Sequence, residues 1–302
     1  MAEFCLICNP IAGRGASLLA LRQAEARLAG LGRSYVVKMT ERPGHATELA
    51  REAAAEGHAC LVALGGDGTV REAAMALLGS SVVLALIPCG TGNDFARALR
   101  IPAKTDDALD IVLGGADTKI DTGLANDSCF INVAGFGFDV DVLDAAEMYK
   151  SRGLGGKLAY WRGILHCLSK LKLRRTRIAA DGQVLTHDVM IMAVGNGTHF
   201  GGGMHITPQA DPGDGLLDVC IVHDIGKFRV LLMLPRLQKG THLSSRFVTY
   251  LKAREITASC QPPSRAQTDG EVIEHTPIAF RVVPESLTMR TRGVNVPRGN
   301  EK

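Results

Sequence analysis

Long apolar runs are missing from the sequence. The longest, such as VVLALIPC at 82–89, fall far short of the roughly 20 residues a spanning helix needs. The chain is therefore expected to be soluble, or attached to a membrane only at its surface. The opening MAEFCLICNP has neither a basic start nor an extended apolar stretch, which speaks against a secretory leader. A dense cysteine framework is also absent. The eight cysteines stand at 5, 8, 60, 89, 129, 167, 220 and 260, the scatter of free thiols in a reducing, cytoplasmic compartment. Cys5 and Cys8 form a C-x-x-C, but their apolar run reads as a strand, where residues three apart point to opposite faces. No G-x-x-x-x-G-K-[ST] occurs, so this is no P-loop protein. GRGAS after the first strand breaks G-x-G-x-x-G, so a dinucleotide fingerprint fails too. The nine histidines form no H-E-x-x-H and no metal-like pair beside cysteines. Of these, His199 and His205 flank a triple glycine. There is no internal repeat and no low-complexity linker.

What is present looks globular. The chain has 302 residues, 46% hydrophobic and 22% charged, which fits two domains and rules out wholesale disorder. The first ~120 residues alternate apolar runs with helical spacing. FCLIC, SYVVKMT, CLVAL and VVLALIP read as strands; ASLLALRQAEARLAG, HATELAREAAAEG, REAAMALL and DFARALR read as helices. Four such β-loop-α units with continuous apolar strands predict a three-layer α/β domain around a parallel sheet over residues 1–117. From 118 to 286 the segments become strand-like and alternate, predicting a β-sandwich domain. The last ~15 residues are candidates to return to the first domain, and the tail after Arg292 reads as polar and mobile. Helical spacing in the second domain is expected at 157–171 and at 227–240.

In a parallel α/β sheet, ligands sit outside the carboxyl ends of the strands. Three glycine-rich loops fall there: Asn9-Pro10-Ile11-Ala12-Gly13-Arg14-Gly15, Gly65-Gly66-Asp67-Gly68-Thr69 and Pro88-Cys89-Gly90-Thr91-Gly92-Asn93-Asp94. Glycines let the backbone approach a ligand and point N–H groups at it, and the helix N-termini behind favour anions. Thr69 and Thr91 add hydroxyls. Asp67 and Asp94 add carboxylates suited to a hydrated Mg²⁺. The pattern reads as a polyphosphate-plus-magnesium site. With no P-loop lysine, other groups must meet the phosphate charge.

These motifs resemble the diacylglycerol kinase catalytic-domain family, which includes bacterial soluble diacylglycerol kinases, YegS-like lipid kinases, and sphingosine and ceramide kinases. The resemblance runs on through KIDTG at 119–123, FINVAGFGFD at 130–139, GGGM at 201–204, DGLLDV at 214–219 and DGE at 269–271. NAD kinases share GGDGT and the general architecture, but GTGNDFAR and DGLLDV favour the lipid kinase branch. The resemblance implies that Asn9, Pro10, Ile11, Ala12, Gly13, Thr40, Gly65, Gly66, Asp67, Gly68, Thr69, Val70, Arg71, Thr91 and Asn93 bind ATP. It implies that Asp67 organises Mg²⁺ and the phosphates, and that Asp94 and Asp121 join it in a metal–water network. A second, structural Mg²⁺ would be held by the Asp214 side chain with the carbonyls of Asp211 and Leu216. Glu271 would be the general base, with Asp269 beside it in the catalytic motif. Ala12 departs from the serine of many relatives, which removes one hydroxyl near the phosphates. The implied activity is ATP-dependent phosphorylation of a lipid hydroxyl, most simply that of diacylglycerol. The alternatives are a ceramide or sphingoid-base kinase, or a nucleotide-binding regulator without catalysis; the intact GGDGT, GTGND and DGE argue against the last. Homodimerisation is implied by the resemblance alone.

Net charge is only +3, but residues 150–177 hold nine basic residues and no acidic one. Leu158, Trp161, Leu165 and Leu168 recur at helical spacing within it, as a core-facing stripe would. The basic residues beside Tyr160 and Trp161 suit an anionic membrane surface. Lys157, Arg162, Lys170, Lys172, Arg174 and Arg175 are the expected contacts. No nucleic-acid module is recognisable, so nucleic acid is not an expected partner.

Overall fold

A computed structural model describes residues 2–293, apart from the side chains of Lys150 and Lys157. The expected membrane contact at Lys157 and the expected tail from residue 294 therefore lie outside the described residues. The chain divides into two compact units. The first comprises residues 1–122, 211–214 and 283–302; the second comprises 123–210 and 215–282.

In the first unit, β1 (Phe4–Cys8), β2 (Tyr35–Met39), β3 (Cys60–Gly65) and β4 (Val83–Pro88) form a parallel sheet in the order β2-β1-β3-β4. Phe4 pairs with both Tyr35 and Cys60, and Cys60 with Val83. Every residue of β1, β3 and β4 is buried, which is why these strands read as unbroken apolar runs. Helices α1 (Ala16–Gly30), α2 (His45–Ala55), α3 (Asp67–Leu77), α4 (Asp94–Ala98) and α5 (Thr105–Gly114) follow the strands. α1 packs with α5, and α2 with α3. α5 was not anticipated: its apolar face is only Ala108, Leu109, Ile111 and Val112, inside an otherwise acidic and glycine-rich stretch. The first unit's opening segment ends at 122/123 rather than the expected 117/118, within β5 (Ala116–Ala125).

The second unit is β-sandwich-like. After β6 (Ser128–Phe130) and β7 (Val133–Gly137) come α6 (Phe138–Ser151) and α7 (Gly156–Ser169). Next are β8 (Arg174–Ala180), β9 (Gln183–Gly195), β10 (Leu217–His223), α8 (Lys227–Gln238), β11 (Val248–Ala253) and β12 (Glu255–Gln261). The hairpin β13 (Arg265–Thr268) and β14 (Glu271–His275) precedes β15 (Ile278–Thr291). β9 is the hub: β8 pairs along its first half, and β7 and β10 along its second, all antiparallel. One sheet face closes over an inner core that includes Phe130, Phe136, Met192, Ile221, Ile256 and Phe280. The other face carries α6, α7 and α8 over Val133, Met190, Ala193 and Val222. β15 begins here, antiparallel to β12, and ends in the first unit, where Met289 pairs parallel with Leu84 of β4.

Two expectations for the second domain differ from the structure. Residues 138–151, inside the region expected to be strand-like, form α6. The α7 stripe is not core-facing: Leu158, Trp161 and Leu165 are 63%, 44% and 57% exposed, while Ala159, Ile164, Cys167 and Leu168 are buried. Only Leu168 of the expected stripe faces inward.

Candidate functional site

The strand order β2-β1-β3-β4 reverses direction at β1: the chain leaves β1 toward β2 and then crosses back to β3. Loops leaving β1 and β3 diverge at such a point and open a crevice. A cavity of about 630 Å³ lies there, lined by Asn9, Pro10, Ile11, Thr40, Gly68 and Thr69, and also by Met39, Glu41, Arg42, Pro43 and Glu72.

The three glycine loops interlock. Asn9 donates from Nδ2 to Thr69 Oγ1 at 3.1 Å, and its Oδ1 accepts the Ile11 N–H at 3.2 Å. The Cys89 N–H reaches Gly65 O at 2.8 Å, and Thr40 N–H reaches Cys8 O at 2.9 Å. Asn93, at φ 53°, folds its own loop by accepting the Gly90 N–H and donating to Gly90 O. Two close approaches demand glycine. Gly13 has φ 59°, and a Cβ there would sit 2.1 Å from the Cys89 carbonyl oxygen. A Cβ on Gly90 would sit 2.5 Å from the Gly66 Cα. The loops thus approach at backbone distance, leaving the N-terminus of α3 to the crevice, where its unpaired N–H groups attract anions.

Asp67 opens α3, and its Oδ1 accepts the Phe95 N–H at 3.3 Å. That bond places it beside Asp94, the buried first residue of α4. Asp121 belongs to the same unit. It is buried, its N–H donates to Pro212 O at 2.6 Å, and its Oδ1 accepts the Glu285 N–H at 2.8 Å. In the Asp211–Asp214 loop, Asp211 Oδ1 accepts the Gly213 N–H and its carbonyl accepts the Asp214 N–H, as an ordinary Asx turn does. Leu216 follows two residues on, in the second unit.

Glu271 is exposed at the start of β14. The turn before it is held from several sides. Asp269 (φ 50°) and Gly270 (φ 88°) make the positive-φ pair of a tight hairpin. The Asp269 carboxylate accepts the N–H groups of Ile131, Asn132 and Val133 at 2.8, 3.0 and 3.1 Å. Gln267 accepts the Gly270 N–H and donates to Asp139 Oδ2 at 3.2 Å. These bonds tie both Asp269 carboxylate oxygens to the backbone of residues 131–133 and fix the turn that carries Glu271. Burial pushes the Asp139 carboxyl up to about 6 despite the Gln267 bond.

Sequence reading missed Glu41, Arg42 and Glu72. Glu72 accepts the N–H groups of Gly44 and Ala46 at 2.9 and 3.1 Å and so anchors the entry to α2. For Glu41 and Arg42 the signal was available: the loop after the second strand also lies at a carboxyl end of the sheet. His199 and His205 stack at 4.2 Å, and burial lowers the pKa of His205. Among the described residues, one group of three metal-ligating side chains closes to ligand distance: His187, His223 and Asp224, none of them in a predicted metal set. Cys5 and Cys8 are buried and free, and burial pushes the Cys5 thiol up to about 11, a poor environment for thiolate chemistry.

Of the expected membrane contacts, Arg174 lies 3.7 Å from Asp141 of α6 with its side chain only 17% exposed. Arg175 is exposed and lies 3.5 Å from Asp188 of β9. Arg162, Lys170 and Lys172 are exposed as well. No helix among the described residues is long and apolar enough to cross a membrane.

Residues 3–125 match the diacylglycerol kinase catalytic domain, and residues 132–291 match the YegS C-terminal NAD kinase beta sandwich-like domain. The chain is 34% identical to a diacylglycerol kinase of Mycobacterium tuberculosis, over 93% of this chain and 92% of that protein. It is 30% identical to a YegS-like lipid kinase of Chromohalobacter salexigens, over 92% and 90%. A crystal structure of a diacylglycerol kinase from Bacillus anthracis str. Sterne shares the fold with a TM-score of 0.77 at 27% identity, covering 96% of this chain and 97% of that one.

Proposed function

This chain belongs to the diacylglycerol kinase catalytic-domain family, and on that premise we propose that it transfers the γ-phosphoryl group of ATP to the hydroxyl of diacylglycerol or a related glycerolipid. The observation that carries the reading is the interlocked loop set around the cavity at the strand-order reversal. Asn9 to Gly13, Thr40, Gly65 to Arg71, Thr91 and Asn93 are the ATP-binding residues in this reading. Backbone N–H groups and the α3 N-terminus meet the phosphates in place of a P-loop lysine.

Magnesium suits donors of this kind: Asp67, Asp94 and Asp121 offer only hard oxygen, and an ion that keeps most of its waters needs few direct protein ligands. Mg²⁺ would neutralise phosphate charge when bound. Asp214, with the carbonyls of Asp211 and Leu216, is the proposed second, structural site.

Phosphoryl transfer breaks the bond from the γ-phosphorus to the ADP oxygen and forms one to the lipid oxygen. The lipid hydroxyl proton must leave, and Glu271 is the proposed acceptor. Asp269 and Gln267 hold the turn from which Glu271 projects. The test is radiolabelled ATP with a panel of lipid alcohols: diacylglycerol, monoacylglycerol, ceramide, sphingosine, and NAD as a control. Phosphatidic acid is the expected product. Label in NAD, or in no acceptor, would overturn the reading. Glu271→Gln is expected to lose at least 100-fold in kcat while ATP affinity stays within about twofold. Near wild-type turnover would remove Glu271 as the base. Since the acceptor resides in membranes, we also propose peripheral membrane association through the basic residues of α7 and the segment after it.

A further inference from the structure

Three side chains outside the candidate kinase site converge at one rim of the second unit's sheet. His187 stands on β9, His223 ends β10, and Asp224 follows it in the turn into α8. One ligating atom of each lies within 4.8 Å of the other two, and among the described residues no other trio of metal-ligating side chains does so. Asp224 Oδ2 is the common point: His223 Nδ1 lies 2.8 Å from it and His187 Nδ1 3.6 Å. The two imidazoles stack, with ring centroids 3.9 Å apart and planes 25° apart. The backbone brings this about. β10 shifts register against β9 between Val222 and His223. Asp224 then takes φ 50°, and its N–H donates to Asp188 O at 3.0 Å, which anchors the turn beside His187.

The far nitrogen of His223 is held as well: Nε2 lies 2.9 Å from Thr249 Oγ1 on β11. A histidine that binds a metal through one nitrogen ordinarily has the other hydrogen-bonded, which fixes the ring and its tautomer. A threonine hydroxyl can donate or accept. Thr249 can therefore donate to Nε2 while Nδ1–H serves Asp224, and accept from Nε2–H when Nδ1 binds a cation. The imidazole is neutral in both forms. A metal binds an imidazole in the plane of the ring, so two stacked rings meet one ion only if one of them turns. His223 is buried, whereas the His187 side chain is 25% exposed and has room to swing its Nδ1 into line.

We propose that His187, His223 and Asp224 form a binding site for a divalent transition ion of the zinc class. Two imidazole nitrogens and one carboxylate oxygen suit Zn²⁺, Co²⁺ or Ni²⁺, whereas Mg²⁺ takes oxygen ligands. Three protein ligands leave a fourth position, and the exposure of Asp224 keeps that position open to water. The ligands and Thr249 come from β9, β10, β11 and the turn before α8, so the ion staples these elements at their rim. An ion that binds the folded chain and not the unfolded one stabilises it by mass action. The site lies wholly within the second unit. It uses no residue assigned to ATP, Mg²⁺ or the lipid hydroxyl, so it goes beyond the kinase reading and stands without it.

The test uses the untagged full chain, stripped with EDTA, in a buffer that holds millimolar Mg²⁺. Calorimetric titration with Zn²⁺ is expected to give one ion per chain with a Kd below about 0.1 mM. At a Zn²⁺ concentration well above the Kd, the thermal midpoint should rise by about 5 °C. Co²⁺ should show the visible bands of a four-coordinate ion with nitrogen and oxygen ligands. It should lack the sulfur charge-transfer band that any of the eight thiols would add. His187→Gln with Asp224→Asn removes two ligands, and asparagine tolerates the left-handed backbone at 224. That variant should bind Zn²⁺ at least 100-fold more weakly while its metal-free circular dichroism stays that of wild type. Weaker binding than the stated limit, displacement by Mg²⁺, or a sulfur band with Co²⁺ would overturn the site. So would unaltered affinity in the double variant, which would place the ion elsewhere, as on the His199–His205 stack. The Co²⁺ spectrum is read on the wild-type chain, so it decides the ligand class even if the variant misfolds. No readout involves phosphoryl transfer, and failure of the kinase reading would leave the site standing.

Discussion

Asp139 is a buried carboxyl whose Oδ2 accepts a hydrogen bond from Gln267. Its pKa stands near 6 in the folded chain, against roughly 3.9 when unfolded. Between those values the folded state holds the proton and the unfolded state has lost it. Stability therefore falls as pH rises through this window, by on the order of 3 kcal/mol, and stays lower above it. Asp139→Asn is expected to flatten the dependence of the urea midpoint between pH 4.5 and 7. An unchanged slope would show that another group titrates there. Asp269 makes the opposite use of a carboxylate, since three backbone N–H groups point at it. Asp269→Ala would leave those amides without their acceptor, at about 1–3 kcal/mol. It should lower kcat with little effect on ATP affinity, while Asp269→Asn should recover part of the loss. Single residues were the most legible level. Asn9, Gly13, Asp67 and Thr69 stand in glycine-rich loops at the carboxyl ends of readable strands, so the parallel-sheet rule brings them together although Asn9 and Thr69 are 60 residues apart. Glu72 stands inside a helix with no loop motif to mark it, and no such rule links it to Gly44 and Ala46.

Elements were legible where one face is plainly apolar. β1, β3 and β4, buried along their whole length, read unambiguously. α7 did not, because its leucines serve two faces: the stripe at 158, 161 and 165 looks outward while 164, 167 and 168 look in. Periodicity reports a stripe but cannot say which stripe meets the sheet. The join between α2 and α3 is a testable element-scale contact. Glu72 on α3 ties down the start of α2 with two N–H bonds, and Thr47 Oγ1 returns one to Glu72 O at 3.0 Å. Glu72→Ala should cost about 1–3 kcal/mol and raise the KM for ATP several-fold, because the loop carrying Glu41 to Pro43 borders the cavity. A stability loss with unchanged KM would confine Glu72 to holding the helices together.

At the scale of the whole molecule, the change from α/β to β-rich pattern was legible, but the path of the chain was not. A residue count cannot show that 211–214 rejoin the first unit, or that β15 belongs to both. Leu287 and Met289 are buried in the first unit. Arg290 grips Asp117 with two nitrogens at 2.7 and 3.0 Å and reaches Val112 O with a third. Removing residues 283–302 should therefore destabilise the first unit by about 5 kcal/mol or more, although no residue of the predicted ATP set is deleted. Hydrogen exchange should quicken at β4 amides and change little at β9. Equal loss of protection in both would mean that the units unfold as one.

That shared strand also orders events during synthesis. β4 ends at Pro88, but the strand that covers its edge, pairing at Met289, follows some 200 residues later. At ~5–20 residues per second, the nascent first unit waits roughly 10–40 s with the edge of β4 uncovered. An incomplete edge is a template for pairing with other chains. The last strand to be translated is thus the one that withdraws the first unit from that hazard, and a stalled or clipped chain would keep it exposed.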